Sequence, residues 1–327
     1  MSFVAILFLA TACQKHDSNP AEEEVVSQIT ERKCASHEIL EQQMAADPAR
    51  ARAIQDLEEF TRRFIQSEDI QKKKSNTTLN IPVVVHMVYN TEAQKLSVSQ
   101  IESQIAVLNE DFNLQNSDAG LVNQNPDFAS VQANVGIRFT LDQIVWKKTT
   151  KKSFGTDDGV KYSRRGGSDA VDPTHKLNMW VCNLGQNLLG YAQFPGGNPA
   201  TDGIVVLYSA FGSKAKTPST EANFIANYDL GRTATHEVGH WLNLRHIWGD
   251  ATCGNDFVGD TPLHNTSNTG CKDYNHRSTC TGTPLEMWMN YMDYTYDRCM
   301  YMFTQGQSSR MHAVFAAGGP RASFVNP

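Results

Sequence analysis

The stretch HEVGHWLNLRH at residues 236–246 constrains the fold more than any other part of the sequence. His236 and His240 are four residues apart, so in a helix they project from the same face, one turn apart. Two imidazoles at that spacing can bind one zinc ion at nitrogen–metal distances of roughly 2.0–2.1 Å. Glu237 lies one step round the helix, beside such an ion, where it suits a general base that acts on metal-bound water.

His246 follows His240 by six residues, too far along to stay on the same face of a straight helix. The chain must turn between them, and Asn243 is a residue type that tolerates the left-handed conformation. We therefore expect a helix at about residues 231–243 that ends near Asn243, with His246 returning as a third ligand. An HExxH pair alone recurs in unrelated helices, but three neutral imidazoles leave one metal position for water, as in catalytic zinc sites.

A second segment, MNYMDYTYDRCMYMFT at residues 289–304, follows the zinc motif. The two segments and the cysteine spacing together resemble the pappalysin-like (M43) branch of the metzincin zinc metalloproteases, over roughly residues 76–315. Asn243 stands where most metzincins carry glycine. The resemblance implies an α/β metzincin catalytic domain, in which a twisted mixed sheet and long helices lie above an irregular, disulfide-stapled C-terminal subdomain.

The resemblance also implies roles for single residues. Met292 would be the methionine of the turn beneath the zinc ligands, a role close to ordinary core filling. Tyr294 would donate a hydrogen bond to the developing oxyanion. The position just past the last cysteine, where some relatives carry an acidic residue that favours arginine after the scissile bond, is Met300 here. This argues against an arginine preference, although Asp297 and Glu286 are close in sequence.

Four cysteines cluster after the zinc motif, and their number alone leaves three pairings open. The family pattern implies the disulfides Cys253–Cys280 and Cys271–Cys299.

The same region holds CGNDFVGDTP, residues 253–262, whose oxygen-bearing side chains suit calcium but also suit a plain polar turn. The family uses calcium in this loop, and Asp256 and Thr261 are the side chains we expect to bind it.

The first residues, MSFVAILFLATAC, form an apolar run that is too short to span a bilayer and predict a secretory signal over residues 1–13. Cys13 after ATA resembles the acceptor of bacterial lipoproteins, although the run is not preceded by lysine or arginine. The alternative is a signal that is simply removed. We expect a secreted or outer-surface lipoprotein of a bacterium, a monomer, in which export allows disulfides.

Residues 14–75 are charged, contain no glycine, and place apolar residues at helical spacings in HEILEQQM and ARAIQDLEEFTRRFI. This pattern predicts a helical pro-segment, followed by an exposed cleavage region at QKKKSN, residues 71–76. The catalytic domain then spans residues 76–327, divided into an N-terminal subdomain at 76–243 and a C-terminal subdomain at 244–327.

Cys34 lies inside the predicted pro-segment, in ERKCASHE. A thiolate is a good zinc ligand, so Cys34 could occupy the open metal position and block the enzyme as a cysteine switch. The alternatives are a Cys34–Cys182 disulfide and an idle thiol. Cys182 lies in the apolar run LNMWVCNL, which favours a buried free thiol there.

Further strands are predicted at NIPVVVHMVYN, GIRFTLDQIVW, KLNMWVCNL and DGIVVLY, and a helix with Ser97 as its N-cap at SVSQIESQIAVLNEDFN. Strands mixed with long helices favour an α/β subdomain.

LLGYAQFP, residues 188–195, is typical of an exposed edge strand that a substrate backbone could join, or of an unremarkable hairpin arm. The remaining histidines lack ligand spacing and are expected to be structural or exposed: His86, His264, His276 and His312.

Composition narrows the function classes. The chain has 327 residues, enough for one large or two modest domains, and its net charge of −6 without a long basic run argues against nucleic acid as a partner. The sequence therefore predicts a secreted zinc-dependent endopeptidase that acts on proteins or peptides. The alternative is a surface-anchored adhesion module with a retained zinc site. Glu237 favours the peptidase, since a pure binder needs the histidines but not the base.

Overall fold

The computed structural model describes residues 29–67, 78–221 and 223–325. The predicted signal with Cys13 and the predicted cleavage region at 71–76 lie outside the described residues.

A five-stranded mixed sheet forms the upper part of the molecule, in the order β2-β1-β3-β5-β4. Its strands are β1 (Leu79–Tyr89), β2 (Ile137–Lys148), β3 (Leu177–Cys182), β4 (Gly190–Ala192) and β5 (Ile204–Leu207). β1, β2, β3 and β5 are parallel, whereas β4 runs antiparallel to β5 at one edge. The run VVVHMV in β1 is buried on both faces, as is usual for a central parallel strand.

Two helices pack on this sheet. α3 (Val98–Asp111) lies against β2, and α5 (Arg232–Trp241) lies against β4 and β5 and also contacts α3. The predicted N-cap of α3 is confirmed, because the Ser97 hydroxyl accepts a hydrogen bond from the Gln100 amide at 3.1 Å. A short helix, α4 (Pro126–Ala129), precedes β2.

His86 is a polar residue in the middle of the central strand. Its ring is fully buried, stacks on Trp180 at 5.0 Å between centroids, and forms hydrogen bonds of 2.8 Å with the Ser168 hydroxyl and the Asn178 side-chain oxygen. Burial lowers the pKa of His86 to about 4, although the Asn178 hydrogen bond opposes the shift. The ring is therefore neutral near pH 7 and structural, as predicted.

After Asn243 the chain becomes irregular. Its one regular α-helix in the described part is α6 (Gln305–Ala313), which begins with a capping box between Thr304 and Gln307. Buried methionines fill much of the core beneath α5: Met287, Met289, Met292, Met300, Met302 and Met311. This arrangement is the irregular lower subdomain that the family resemblance implies.

Two helices of the predicted pro-segment lie across the catalytic part. They are α1 (Ser36–Ala46) and α2 (Pro48–Gln66), joined at Asp47, whose side chain caps α2 through the Ala49 amide. Before α1, the chain runs beside β4 as an extended strand, with a parallel bridge between Cys34 and Gly190. The prediction of an exposed edge at 188–195 is therefore wrong for this form of the protein, because the segment around Cys34 covers it.

Across the described ranges, no helix combines the length and the apolar character that crossing a bilayer requires.

Candidate metal centre

The site is built on α5 and the turn that ends it. α5 begins after Gly231 and ends at Trp241, and Asn243 adopts a left-handed conformation with φ of 72°. The predicted turn at Asn243 is thus confirmed, and it brings His246 back toward the two helical histidines. The Leu244 amide donates to the Gly239 carbonyl at 2.9 Å, which closes the turn.

Three imidazole nitrogens converge at one point. The Nε2 atom of His240 lies 3.1 Å from Nε2 of His236 and 3.1 Å from Nε2 of His246. Nitrogens bound tetrahedrally at about 2.0 Å from a zinc ion would be about 3.3 Å apart, so the spacing fits that metal. All three rings are buried.

The opposite nitrogen of each ring has an acceptor. Nδ1 of His236 donates to the Tyr291 carbonyl at 2.7 Å, and Nδ1 of His240 donates to the Leu244 carbonyl at 2.8 Å. Nδ1 of His246 is paired with the Asp250 carboxylate. These bonds leave the three Nε2 lone pairs facing one another, an arrangement that a cation stabilises. Burial, together with the neighbouring imidazoles, lowers the pKa of His236 and His240, which keeps them unprotonated.

Glu237 is next to this cluster and is 1% exposed. Burial raises the pKa of its carboxyl group to about 8, although hydrogen bonds from Cys34 and Ser36 oppose the shift. The Ser36 hydroxyl donates to Oε2 at 3.0 Å. Gly190 of β4 is required here, because a Cβ atom at that position would lie 2.7 Å from Oε1 of Glu237.

Tyr294 lies on the other side of the histidines. Its ring centroid is 5.7 Å from that of His236 and 5.0 Å from that of His246. The phenol donates to the Cys34 carbonyl at 3.1 Å and accepts from the Cys34 amide at 3.3 Å. A phenol that already contacts a backbone carbonyl at the metal site is well placed to contact a substrate carbonyl.

Met292 lies beneath the histidines and is fully buried. The close approach needs Gly239 in α5, because a Cβ atom there would come within 2.4 Å of the Met292 sulfur. The geometry fits the apolar floor that the family resemblance implies for Met292.

Cys34 approaches the cluster from the pro-segment. Its Sγ atom and one nitrogen from each of the three histidines all lie within 4.8 Å of one another. The strand that carries it is fixed to the edge of the sheet, since the Ala35 amide donates to the Gly190 carbonyl at 3.2 Å and the Leu189 amide donates to the Lys33 carbonyl at 2.9 Å. The Cys34–Cys182 disulfide is not formed in the structure, where both cysteines are free and buried.

Arg32 fills a pocket beside the metal centre. Its Nη2 atom lies 2.6 Å from Oδ1 of Asp297, its Nη1 atom donates to the Thr233 hydroxyl at 3.1 Å, and its guanidinium lies 5.2 Å from the Tyr228 ring centroid. Met300 forms another wall, with its sulfur 3.5 Å from Nη2. The acidic residue of this pocket is therefore Asp297. The sequence-based argument against an arginine preference relied on the residue at position 300.

The Asp297 carboxylate is held in place by the backbone. Its Oδ2 atom accepts from the Leu230 amide at 2.9 Å and from the Arg232 amide at 3.3 Å, at the start of α5. Oδ1 is left to the guanidinium. Backbone amides on one oxygen and the Arg32 guanidinium on the other thus fix the Asp297 carboxylate.

The lower part of the site is stapled as the family resemblance implies. Disulfides join Cys253 with Cys280 and Cys271 with Cys299. In the loop at 253–262, the Thr261 hydroxyl lies 3.0 Å and 2.8 Å from the two carboxylate oxygens of Asp256, which is 5% exposed. Burial raises the pKa of Asp256 to about 6, although the Thr261 hydroxyl opposes the shift.

Several residues of the site were not found from the sequence. Asp250 contacts His246, Ser36 contacts Glu237, and the Trp248 ring stacks on His246 at 4.3 Å between centroids. Asp250 and Trp248 follow His246 closely, so the usual carboxylate partner of a ligating histidine could have been sought there. The Arg32–Asp297 pair had no such local signal.

Comparisons with known proteins agree with this geometry. A family model described as pregnancy-associated plasma protein-A, Peptidase M43, matches residues 165–316. An extracellular metalloprotease of Arthroderma gypseum is 30% identical over 260 residues, which cover 75% of this chain and 76% of the relative.

Two solved structures are more similar in sequence. A promirolysin mutant of Tannerella forsythia is 41% identical, with a TM-score of 0.78, and the match covers 90% of this chain and 97% of that one. Mature mirolysin of Tannerella forsythia in complex with a cleaved peptide is 45% identical, with a TM-score of 0.70, and covers 76% of this chain and 96% of that one.

Proposed function

The chain belongs to the peptidase M43 family and is a zinc-dependent endopeptidase, and we propose that residues 14–75 keep it latent. In this proposal Cys34 supplies the inhibitory zinc ligand. The convergence of three Nε2 atoms beside Glu237 carries the catalytic assignment. The curated relatives are named as metalloproteases, which favours the peptidase over an adhesion module.

In the proposed mechanism, His236, His240 and His246 hold the zinc ion. That ion would supply Lewis-acid activation of a water molecule and of the peptide carbonyl. Glu237 takes the proton of the attacking water and passes it to the leaving amine nitrogen. The Tyr294 phenol donates to the carbonyl oxygen as negative charge develops there.

Latency is proposed from the way the pro-segment occupies the site. Cys34 lies where a fourth ligand would be, its thiol is 3.3 Å from Oε2 of Glu237, and its backbone engages Tyr294. Both the base and the phenol are therefore occupied. The difference in coverage between the promirolysin and mature mirolysin matches is consistent with removal of an N-terminal segment. We propose cleavage at residues 70–76, before a catalytic domain at 76–327.

Arginine next to the scissile bond is the proposed substrate preference. The pocket of Asp297, Thr233 and Tyr228 holds a guanidinium in the latent form, and release of the pro-segment leaves the Asp297 carboxylate facing the substrate cleft. The two Nη atoms of the guanidinium reach Asp297 and Thr233 at once, which a single ammonium group matches less well. This proposal replaces the expectation drawn from Met300.

We further propose that the protein is exported and that it binds calcium. The relatives are named as extracellular, which supports secretion, and Cys13 is the proposed lipid acceptor of a monomeric bacterial surface protein. Buried Asp256 and half-buried Thr261 provide oxygen atoms that suit one calcium ion in the loop at 253–262. The chain binds protein or peptide substrates, as the cleaved peptide in the mature mirolysin complex supports.

The catalytic assignment is tested by substituting Glu237→Ala in the enzyme from which residues up to 75 have been removed. Zinc content should stay near one ion per chain, while peptide hydrolysis falls by about 10²–10⁴-fold because only the base is lost. His240→Ala is the matched control and should lose both zinc and activity. Hydrolysis that persists in the Glu237→Ala enzyme contradicts the mechanism.

A further inference from the structure

A second contact area joins α1 and α2 of the pro-segment to residues that flank the metal-binding histidines. Leu40 of α1 and Ile54 and Leu57 of α2 form a small apolar cluster, separate from the main core, with one residue of the catalytic domain, Phe194. The Phe194 ring lies 5.4 Å from the ring of His240 and 4.9 Å from the guanidinium carbon of Arg245. Without the two helices, this aromatic side chain would lose its apolar neighbours.

Buried residues of α2 follow a helical stripe. They are Arg50, Ile54, Leu57 and Thr61, spaced so that all four face the catalytic domain. Arg50 donates to the carbonyls of Phe194 and Pro195 at 3.0 Å and 2.9 Å. These contacts bury a stripe of four residues along the helix.

The charges across this contact are complementary. Arg310 of α6 is 3% exposed and donates to Glu58 of α2 at 2.8 Å, and Arg245 lies 3.8 Å from the same carboxylate. Glu58 is thus shared by two largely buried guanidinium groups of the catalytic domain. Asn243 adds a polar contact, with its amide 3.4 Å from the Thr61 hydroxyl.

All of these contacts lie before the linker. α2 ends at Gln66, and the proposed cleavage region lies at 70–76, so a cut there removes only the covalent tether. A short tether acts by keeping the local concentration of the segment in the millimolar range. The apolar cluster and the Glu58 pairs remain after the cut, as do the Arg32 and Cys34 contacts at the other end.

We propose that Phe194, Asn243, Arg245 and Arg310 form a docking face for an amphipathic helix with an acidic residue beside its apolar stripe, and that its occupant is the cut pro-segment itself. The α1–α2 hairpin stays bound after linker cleavage and continues to inhibit until it is degraded or diluted away. This inference rests on the proposed latency role of residues 14–75, and it adds that activation takes two events instead of one.

The test uses the full chain with a site-specific protease sequence placed within residues 68–77. In a Glu237→Ala background, which prevents self-digestion, the cut precursor is passed over a sizing column. The fragment should co-elute with the catalytic domain. Leu57→Ala and Glu58→Gln should speed its dissociation at least tenfold. Glu59→Gln is the matched control, because Glu59 is half exposed and pairs with Arg62 of its own helix, and it should behave as the parent does.

Activity is followed in the same linker variant with Glu237 intact. Uncut and freshly cut protein should both be inactive, and activity should appear with the dissociation rate of the fragment. A fragment that separates from the cut parent at once, or equal dissociation of the Leu57→Ala and Glu59→Gln forms, would overturn the docking face. An uncut precursor that is already fully active contradicts the latency proposal instead, which distinguishes the two failures.

Discussion

Asp250 lies between the metal centre and the pro-segment. Its carboxylate pairs with Nδ1 of His246 on one side, and His37 of α1 lies 3.3 Å away on the other. An outer carboxylate of this kind fixes the tautomer and the direction of a ligating imidazole. Asp250→Asn should therefore weaken zinc binding by the mature enzyme by about 10–100-fold.

Chelator competition measures this affinity directly. Asp172→Asn is the matched control in the mature enzyme: Asp172 pairs with His175, an exposed histidine that is not one of the three ligands, so zinc affinity should stay unchanged. An Asp250→Asn enzyme that holds zinc as tightly as the parent would show that His246 does not depend on this carboxylate for its orientation.

A second prediction for a single residue concerns Asp297. If it binds substrate arginine, Asp297→Asn should lower kcat/KM for an arginine peptide by about 10²-fold or more, because a desolvated guanidinium loses its charged partner. The same peptide with norleucine in place of arginine should be affected far less. Peptide cleavage by both enzymes on both substrates gives the comparison. Equal losses on the two peptides would indicate general damage to α5 and contradict the arginine pocket.

Residues of the site differ in how far the sequence could predict them. His236, His240 and His246 were predictable because their spacing lies within one helix and one turn. Asp297 was noted as an acidic residue close to position 300, but its pairing with Arg32 was not predictable. The two residues are 265 positions apart, and their contact depends on how the pro-segment passes β4. Position 300 misled the expectation because Met300 lines the same pocket without carrying its charge.

Among the elements, β1 makes a contribution to the free energy of unfolding that depends on pH. The pKa of buried His86 is lowered from 6.5 to about 4 by burial, so the unfolded chain takes up this proton first as the pH falls. The stabilisation is fully present above about pH 6.5 and declines by about 3 kcal/mol as the pH drops to about 4. Urea unfolding of the parent and of His86→Gln should show their stability difference shrinking by that amount. A constant difference would contradict the buried, neutral His86.

The loop at 253–262 is the second element with a prediction. If Asp256 and Thr261 bind calcium, added calcium should raise the thermal midpoint of the parent protein, because a ligand that binds only the folded state stabilises it. Asp256→Asn removes the charge with little change of shape and should abolish that response. The midpoint is measured with zinc held constant. Equal responses of the two proteins to calcium would place the ion elsewhere or exclude it.

Elements were easier to predict from the sequence than their surroundings. The apolar run of β1 and the N-cap signal of α3 act locally, so this strand and this helix fell where predicted. The exposure of β4 was mispredicted because it depends on a distant partner. Residues 33–35 cover this edge, and nothing within LLGYAQFP signals that they do.

In the molecule as a whole, the proposed pro-segment contacts the catalytic part at two places. One end brings Arg32, Cys34 and Ser36 to the metal centre, and the other lays α2 across Phe194 and Arg310. Composition and periodicity predicted a helical segment before the catalytic domain, but they could not predict its docking. That depends on the lower subdomain, whose irregular backbone and disulfides leave little periodic signal.

Cys34 is proposed to bind the zinc ion of the precursor, and X-ray absorption at the zinc edge reports this bond. The uncut precursor should show one sulfur at about 2.3 Å together with three nitrogens at about 2.0–2.1 Å. The Cys34→Ser precursor should keep the nitrogens and lose the sulfur. A zinc ion surrounded only by nitrogen and oxygen in the uncut parent precursor would show that Cys34 does not bind it.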